Sequence, residues 1–68
     1  MITNKVQEYR KEKGLRQYEL AKILNVTRQT IIAIENNKFN PSLELSFRIS
    51  NFFDRPIEEI FTYTKEEL

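Results

Sequence analysis

Between Gln17 and Asn36 the chain carries two short stretches of helical apolar spacing, and the turn between them is too brief to let two helices lie antiparallel. Leu20, Leu24, Ile31 and Ile34 recur at helical intervals, while Val26 falls in the turn, where it can plug the angle between the helices. Ala21 is small where the second helix must cross close to the first. Asn25 stands where the first helix ends and the chain reverses, a place that favours left-handed backbone, which Asn tolerates better than most non-glycine residues. Thr27 can cap the next helix, its hydroxyl accepting from the N–H of Gln29 or Thr30. Two helices fixed at an angle leave the rest of the chain one task, to pack around that corner.

The polar run Thr27-Arg28-Gln29-Thr30 crowds the start of the second helix, and its apolar residues come later, at Ile31, Ile32 and Ile34. A helix so divided buries its far end and offers its first turns to a partner. That is a helix-turn-helix, and its expected partner is double-stranded DNA.

In this order and spacing the residues resemble the Cro/C1-type (XRE) family of helix-turn-helix regulators in its shortest stand-alone form. The likeness spans roughly residues 4 to 61. It rests on Leu15 and Gln17 with Leu20-Ala21 before the turn, Val26-Thr27-Arg28-Gln29 through it, Ile34-Glu35 after it, and Lys38 followed by Pro41-Ser42-Leu43. In more detail the chain is similar to the small dimeric cytolysin-type repressors of that family, with a Met1-Ile2 start and an Ile60-Phe61 ending followed by Thr62-Tyr63-Thr64. The resemblance implies an all-α, five-helix lambda-repressor-like DNA-binding domain that needs no cofactor. It also implies a homodimer on an inverted-repeat operator, repressing transcription by excluding polymerase, although the same docking can recruit polymerase and activate. Two positions depart from the pattern. Arg16 stands where a Ser or Thr cap is common, which leaves the capping box with Glu19 incomplete at about 1 kcal/mol. Asn37 stands where Gly is usual after the recognition helix.

At 68 residues the chain is one domain, and such a chain buries only about 60% of its unfolded surface, so a second copy would add stability. It has no cysteine and no histidine, which excludes disulfides, thiolate metal sites and imidazole catalysis. Glu58 and Glu59 are adjacent on a helix, point in different directions and have no nucleophile beside them, so an enzyme is not expected. The basic half shows no aromatic platform interleaved with cations, which disfavours RNA. No apolar run approaches about 18 residues and the start is not signal-like, so the expected location is the cytoplasm.

The net charge of +1 hides a division along the chain. Residues 1–40 carry eight Lys and Arg against four Glu, a balance of +4, and residues 41–68 carry three against six acids, a balance of −3. Such polarity suits a molecule that docks one face on phosphates and turns the other away.

Five helices are expected. Asn4 can cap the first, which runs to about Lys13 with Gly14 as the stop. The second runs from Gln17 to Leu24 and the third from Arg28 to Glu35. Asn36 to Asn40 form a polar loop. Asn40-Pro41 reads as the cap and first position of a fourth helix ending near Phe53, and Arg55-Pro56 as the start of a short fifth reaching Phe61. Met1-Ile2-Thr3 and Thr62-Tyr63-Thr64 are β-prone; in the dimeric relatives the two ends pair as an antiparallel ribbon, and frayed termini are the alternative.

Base-edge contacts are expected from Arg28, Gln29 and Thr30, since the residues that read the major groove lie in the first turns of the recognition helix. Phosphate contacts are expected from Gln17, Thr27, Asn36, Asn37, Lys38 and Asn40, with Arg16 and Tyr18 ranked lower. The family pattern makes Gln17 a phosphate clamp that also touches the base-reading glutamine. It also makes Arg10 and Glu35 a semi-buried ion pair between the first helix and the recognition helix, with a DNA-facing Arg10 as the alternative. On a helical wheel Leu43, Ile49 and Phe53 form the inward stripe of the fourth helix, and the remaining apolar surface assigns a dimer interface to Leu45, Phe52, Ile57 and Ile60 with Tyr63 beside them. An antitoxin-type interaction module on the same fold is the competing class; the acidic tail Lys65-Glu66-Glu67-Leu68 is the segment that would serve it.

Overall fold

Each turn that the sequence demands is made by a left-handed residue, and these turns set the fold. A computed structural model describes residues 1–65. The order is β1 (Ile2–Asn4), α1 (Val6–Glu12), α2 (Gln17–Leu24), α3 (Arg28–Glu35), α4 (Leu43–Phe53), α5 (Ile57–Ile60) and β2 (Phe61–Tyr63). The first four helices are each closed by a residue at positive φ: Gly14 at 70°, Asn25 at 57°, Asn37 at 58° and Asp54 at 54°. The closures share one hydrogen-bond pattern, in which the residue after the left-handed one reaches back to the preceding turn. Leu15 N–H donates to the Arg10 carbonyl, Val26 to Ala21, Lys38 to Ala33 and Arg55 to Ser50. Asn37 thus performs the role that glycine takes elsewhere in such loops.

β1 and β2 pair antiparallel, with Ile2 opposite Tyr63, Thr3 opposite Thr62 and Asn4 opposite Phe61. The Met1 amino group and the Thr64 N–H extend the ribbon by one further exchange with each other's carbonyls. The chain ends are paired, not frayed.

The core draws on every helix: Val6 and Tyr9 from α1, Leu20, Ala21 and Leu24 from α2, Ile31 and Ile34 from α3, Leu45, Ile49 and Phe53 from α4, and Ile60 from α5. Val26 packs against it from the turn, as its place between the helices requires. Each fully buried Ile or Leu contributes roughly 1.5–3 kcal/mol of apolar transfer free energy.

The fourth helix differs from expectation at its start and on its faces. Ser42, not Asn40, is the cap; its hydroxyl accepts from the Leu45 N–H at 3.1 Å. The inward stripe is Leu45, Ile49 and Phe53, spaced i, i+4, i+8, whereas Leu43 is 72% exposed and Phe47 is 53% exposed. Leu45 and Ile60, expected on a dimer interface, are therefore core residues of their own protomer. Phe52 is half-buried, edge-on to Phe53 at 5.1 Å, and lies under the Lys13 ammonium. The reason is tertiary. α4 packs on α2, where the Arg48 guanidinium donates to the Leu24 carbonyl at 2.6 Å and closes the negative end of that helix. That contact turns the face of Leu45 and Ile49 inward.

Among the described residues no helix is long and apolar enough to cross a membrane, and no cluster of acidic, Cys or His side chains is placed to hold a metal ion. Residues 66–68 of the acidic tail lie outside the described residues.

Candidate nucleic-acid interface

The recognition helix begins at Arg28, and its cap forms as the sequence demands. The Thr27 hydroxyl accepts from the Thr30 N–H at 3.2 Å and lies 3.0 Å from the Thr30 hydroxyl. That exchange occupies the polar atom of Thr30, which is half-buried. Arg28 and Gln29 are exposed, and Ile31 and Ile34 are fully buried three and six residues after Arg28. The helix is thus anchored by its far turns while its first turn stands clear of the protein.

Beside that turn lies an open hollow of about 510 Å³ lined by Arg10, Leu15, Arg16, Gln17, Tyr18 and Arg28. Gln17 and Arg28 open α2 and α3, so two helix N-termini converge there with two exposed guanidinium side chains. Unpaired backbone N–H groups, helix dipoles and cations make such a hollow attractive to a phosphate. Arg16 also starts α2: its backbone N–H donates to the Glu19 carboxylate at 2.8 Å. The reciprocal half of the capping box is missing, because a guanidinium has no acceptor to offer.

Beneath the hollow sits a buried charge network. Arg10 Nε donates to Glu35 Oε2 at 2.7 Å, Nη2 to Oε1 at 3.1 Å and Nη1 to the Leu15 carbonyl at 2.7 Å. The Glu35 side chain is 1% exposed, so this two-pronged pair is interior and Arg10 faces the protein. Gln17 Nε2 adds a bond to Glu35 Oε1 at 3.1 Å. The partner of the Gln17 amide is Glu35, not Gln29, and Glu35 accordingly fixes how Gln17 is presented.

On the far side of α3, Asn36, Asn37, Lys38 and Asn40 are all exposed in the loop that Asn37 turns. The structure thus sorts the expected contact residues into a hollow before the recognition helix, its first turn, and a loop after it. Asn4, seen in the sequence only as a cap, proves to touch this loop: it donates to the Ile34 carbonyl at 2.8 Å and to Asn37 Oδ1 at 3.2 Å. No sequence period signals that contact, which spans thirty residues or more of chain.

Residues 6–60 match the family model described as helix-turn-helix. The chain belongs to the Cro/C1-type helix-turn-helix family. This Cro/C1-type regulator is 53% identical over 66 residues to an uncharacterised HTH-type transcriptional regulator of Methanocaldococcus jannaschii, covering 97% of this chain and 100% of that one. It is 32% identical over 60 residues to the cryptic phage CTXphi transcriptional repressor RstR of Vibrio cholerae, covering 88% of this chain and 54% of RstR. Its fold resembles that of a transcriptional regulator from Listeria innocua with a TM-score of 0.76 at 26% identity, over 97% of this chain and 65% of that one. A Cro/C1-type protein binds DNA and regulates transcription.

Proposed function

We propose that this regulator is a repressor that binds an inverted-repeat operator as a homodimer, with α3 of each copy in the major groove. Arg28 pairs with guanine, Gln29 with adenine, and the Thr30 methyl packs on a thymine methyl, each good pair discriminating by roughly 1–3 kcal/mol. Gln17, Arg16, Tyr18 and Thr27 hold the phosphates before the helix, and Asn36, Asn37, Lys38 and Asn40 those after it. The naming of the Vibrio cholerae relative as a repressor supports the direction of regulation.

The dimer face is assigned to the surface that the core leaves open. A groove of about 140 Å³ with predominantly apolar walls is lined by Ile2, Asn40, Pro41, Leu43, Ser46, Ile57 and Phe61. Leu43, in that lining, and Phe47, one turn further along α4, are exposed apolar residues that their own protomer does not cover. Ile57 and Tyr63 keep their assignment to the interface, and Leu43 takes the place of Leu45 and Ile60. To read successive major grooves, a two-fold arrangement through this face has to set the recognition helices about 34 Å apart, one helical turn of DNA.

The observation that carries the reading is the polar first turn of α3, exposed at Arg28 and Gln29 above a buried Ile31. Selection from random duplex DNA tests it: the recovered sites are inverted repeats, and binding falls with salt by about 0.9 log units per phosphate neutralised per tenfold salt increase. Gln29→Ala then retains weak, salt-sensitive binding without the sequence preference. Unchanged preference removes Gln29 from the base-reading set.

A further inference from the structure

Asn4 touches three parts of the molecule at once. Its backbone belongs to β1, in register with Phe61 of β2. Its Oδ1 accepts from the Val6 N–H at 3.0 Å, so Asn4 satisfies the leading N–H of α1 from one residue ahead of the cap, which is Lys5 and not the expected Asn4. Its Nδ2 donates both to the Ile34 carbonyl, in the last turn of the recognition helix, and to Asn37 Oδ1. Both donor hydrogens of one amide are thereby spent on the end of α3 and the residue that turns the chain out of it.

Two consequences follow from that geometry. The Ile34 carbonyl also accepts from the Asn37 N–H at 3.0 Å, so Asn4 braces the same atom that closes the turn. Asn37, accepting through its oxygen, faces its NH₂ group away from Asn4, and an N–H donor is the polarity that a phosphate requires. The same strand also reaches the apolar groove, since Ile2 of β1 and Phe61 of β2 both line it.

We propose that Asn4 is a positioning residue for DNA binding, setting the 36–40 loop against the recognition helix and tying that setting to the paired chain ends. The inference rests on the reading that this loop meets phosphates. Asn4→Ser separates its two roles: a serine hydroxyl still accepts from the N–H two residues on, but is too short to reach Ile34 or Asn37. The test uses the full chain and a duplex selected with the unaltered protein. Asn4→Ser is expected to keep its helical circular dichroism and its sedimentation. Its operator affinity is expected to fall about tenfold, as for loss of one hydrogen bond in each of two subunits, with a log–log salt slope shallower by about one to two.

Asn37→Gly keeps the left-handed backbone and deletes the acceptor, so combining it with Asn4→Ser is expected to weaken binding far less than the product of the two single effects. Operator affinity within twofold of the unaltered protein at an unchanged salt slope, or single effects that multiply, overturns the proposal. If Asn4→Ser loses its helical signal, Asn4→Thr takes its place, with the same acceptor for the Val6 N–H on a residue better suited to a strand, and operator affinity within twofold at an unchanged salt slope overturns the proposal. Failure of the unaltered protein to select any sequence refutes the DNA reading itself, a result distinct from an Asn4→Ser variant that binds normally.

Discussion

Replacing Arg10 with Met tests whether the buried basic residue beneath the hollow is a contact or a strut. In the structure its guanidinium makes three hydrogen bonds inside the protein, two to Glu35 and one to the Leu15 carbonyl. Methionine fills much of the same volume but leaves the Glu35 carboxylate buried with Gln17 as its remaining partner, a neutral donor that cannot balance the charge. Breaking a buried pair from one side costs about 3–5 kcal/mol. A chain of this length has roughly 3–10 kcal/mol of total stability, so Arg10→Met should remove a large part of the margin. Urea denaturation followed by circular dichroism reads this as a lower midpoint at an unchanged slope. The double variant Arg10→Met/Glu35→Leu removes both charges and is expected to recover roughly half of the loss or more. An Arg10→Met protein with a near-native midpoint and no operator binding would refute the assignment and return Arg10 to the DNA.

Two further pairs of substitutions separate the faces and test the turn. Leu43→Glu is expected to turn a dimer into a folded monomer in sedimentation at tens of micromolar, whereas Leu45→Ala is expected to cost about 2–5 kcal/mol through the cavity it leaves in the protomer core. The reverse result, with Leu45→Ala stable and monomeric, would move the interface back to the inner face of α4. Asn25→Ala places an alanine at φ 57° and should cost about 1–2 kcal/mol in a denaturation curve, while Asn25→Gly should not.

The helix-turn-helix was legible because each of its constraints is local. The left-handed turn at Asn25, the cap at Thr27 and the apolar spacing of Leu20, Leu24, Ile31 and Ile34 concern residues within a few positions of one another, and all appear where the sequence places them. The bounds of α2 and α3 agree for the same reason. The fourth helix was not legible in this way. It carries apolar residues on two sides, at Leu43 and Phe47 on one and at Leu45, Ile49, Phe52 and Phe53 on the other, so periodicity establishes a helix without saying which face is inside. The choice is made by Arg48 reaching the end of α2 and by Ile60 filling the core from α5, contacts that link distant parts of the chain. The cap moved likewise: Asn40, Pro41 and Ser42 are all good helix openers, and packing selected Ser42.

The end of the recognition helix is held from two sides, and this explains how so small a protein can present its first turn with a fixed aim. Glu35 is locked by Arg10 from α1 and in turn holds Gln17 at the start of α2. Ile34 and Asn37 are held by Asn4 from the ribbon. An eight-residue helix moves as a rigid unit, so restraints on its last turn, together with Ile31 in the core, fix the direction of Arg28 and Gln29 without any contact to those side chains. The residues that aim the helix are therefore buried or half-buried, whereas the exposed side chains of Arg28 and Gln29 make no hydrogen bond to the described residues and Thr30 is tied only to its own cap at Thr27.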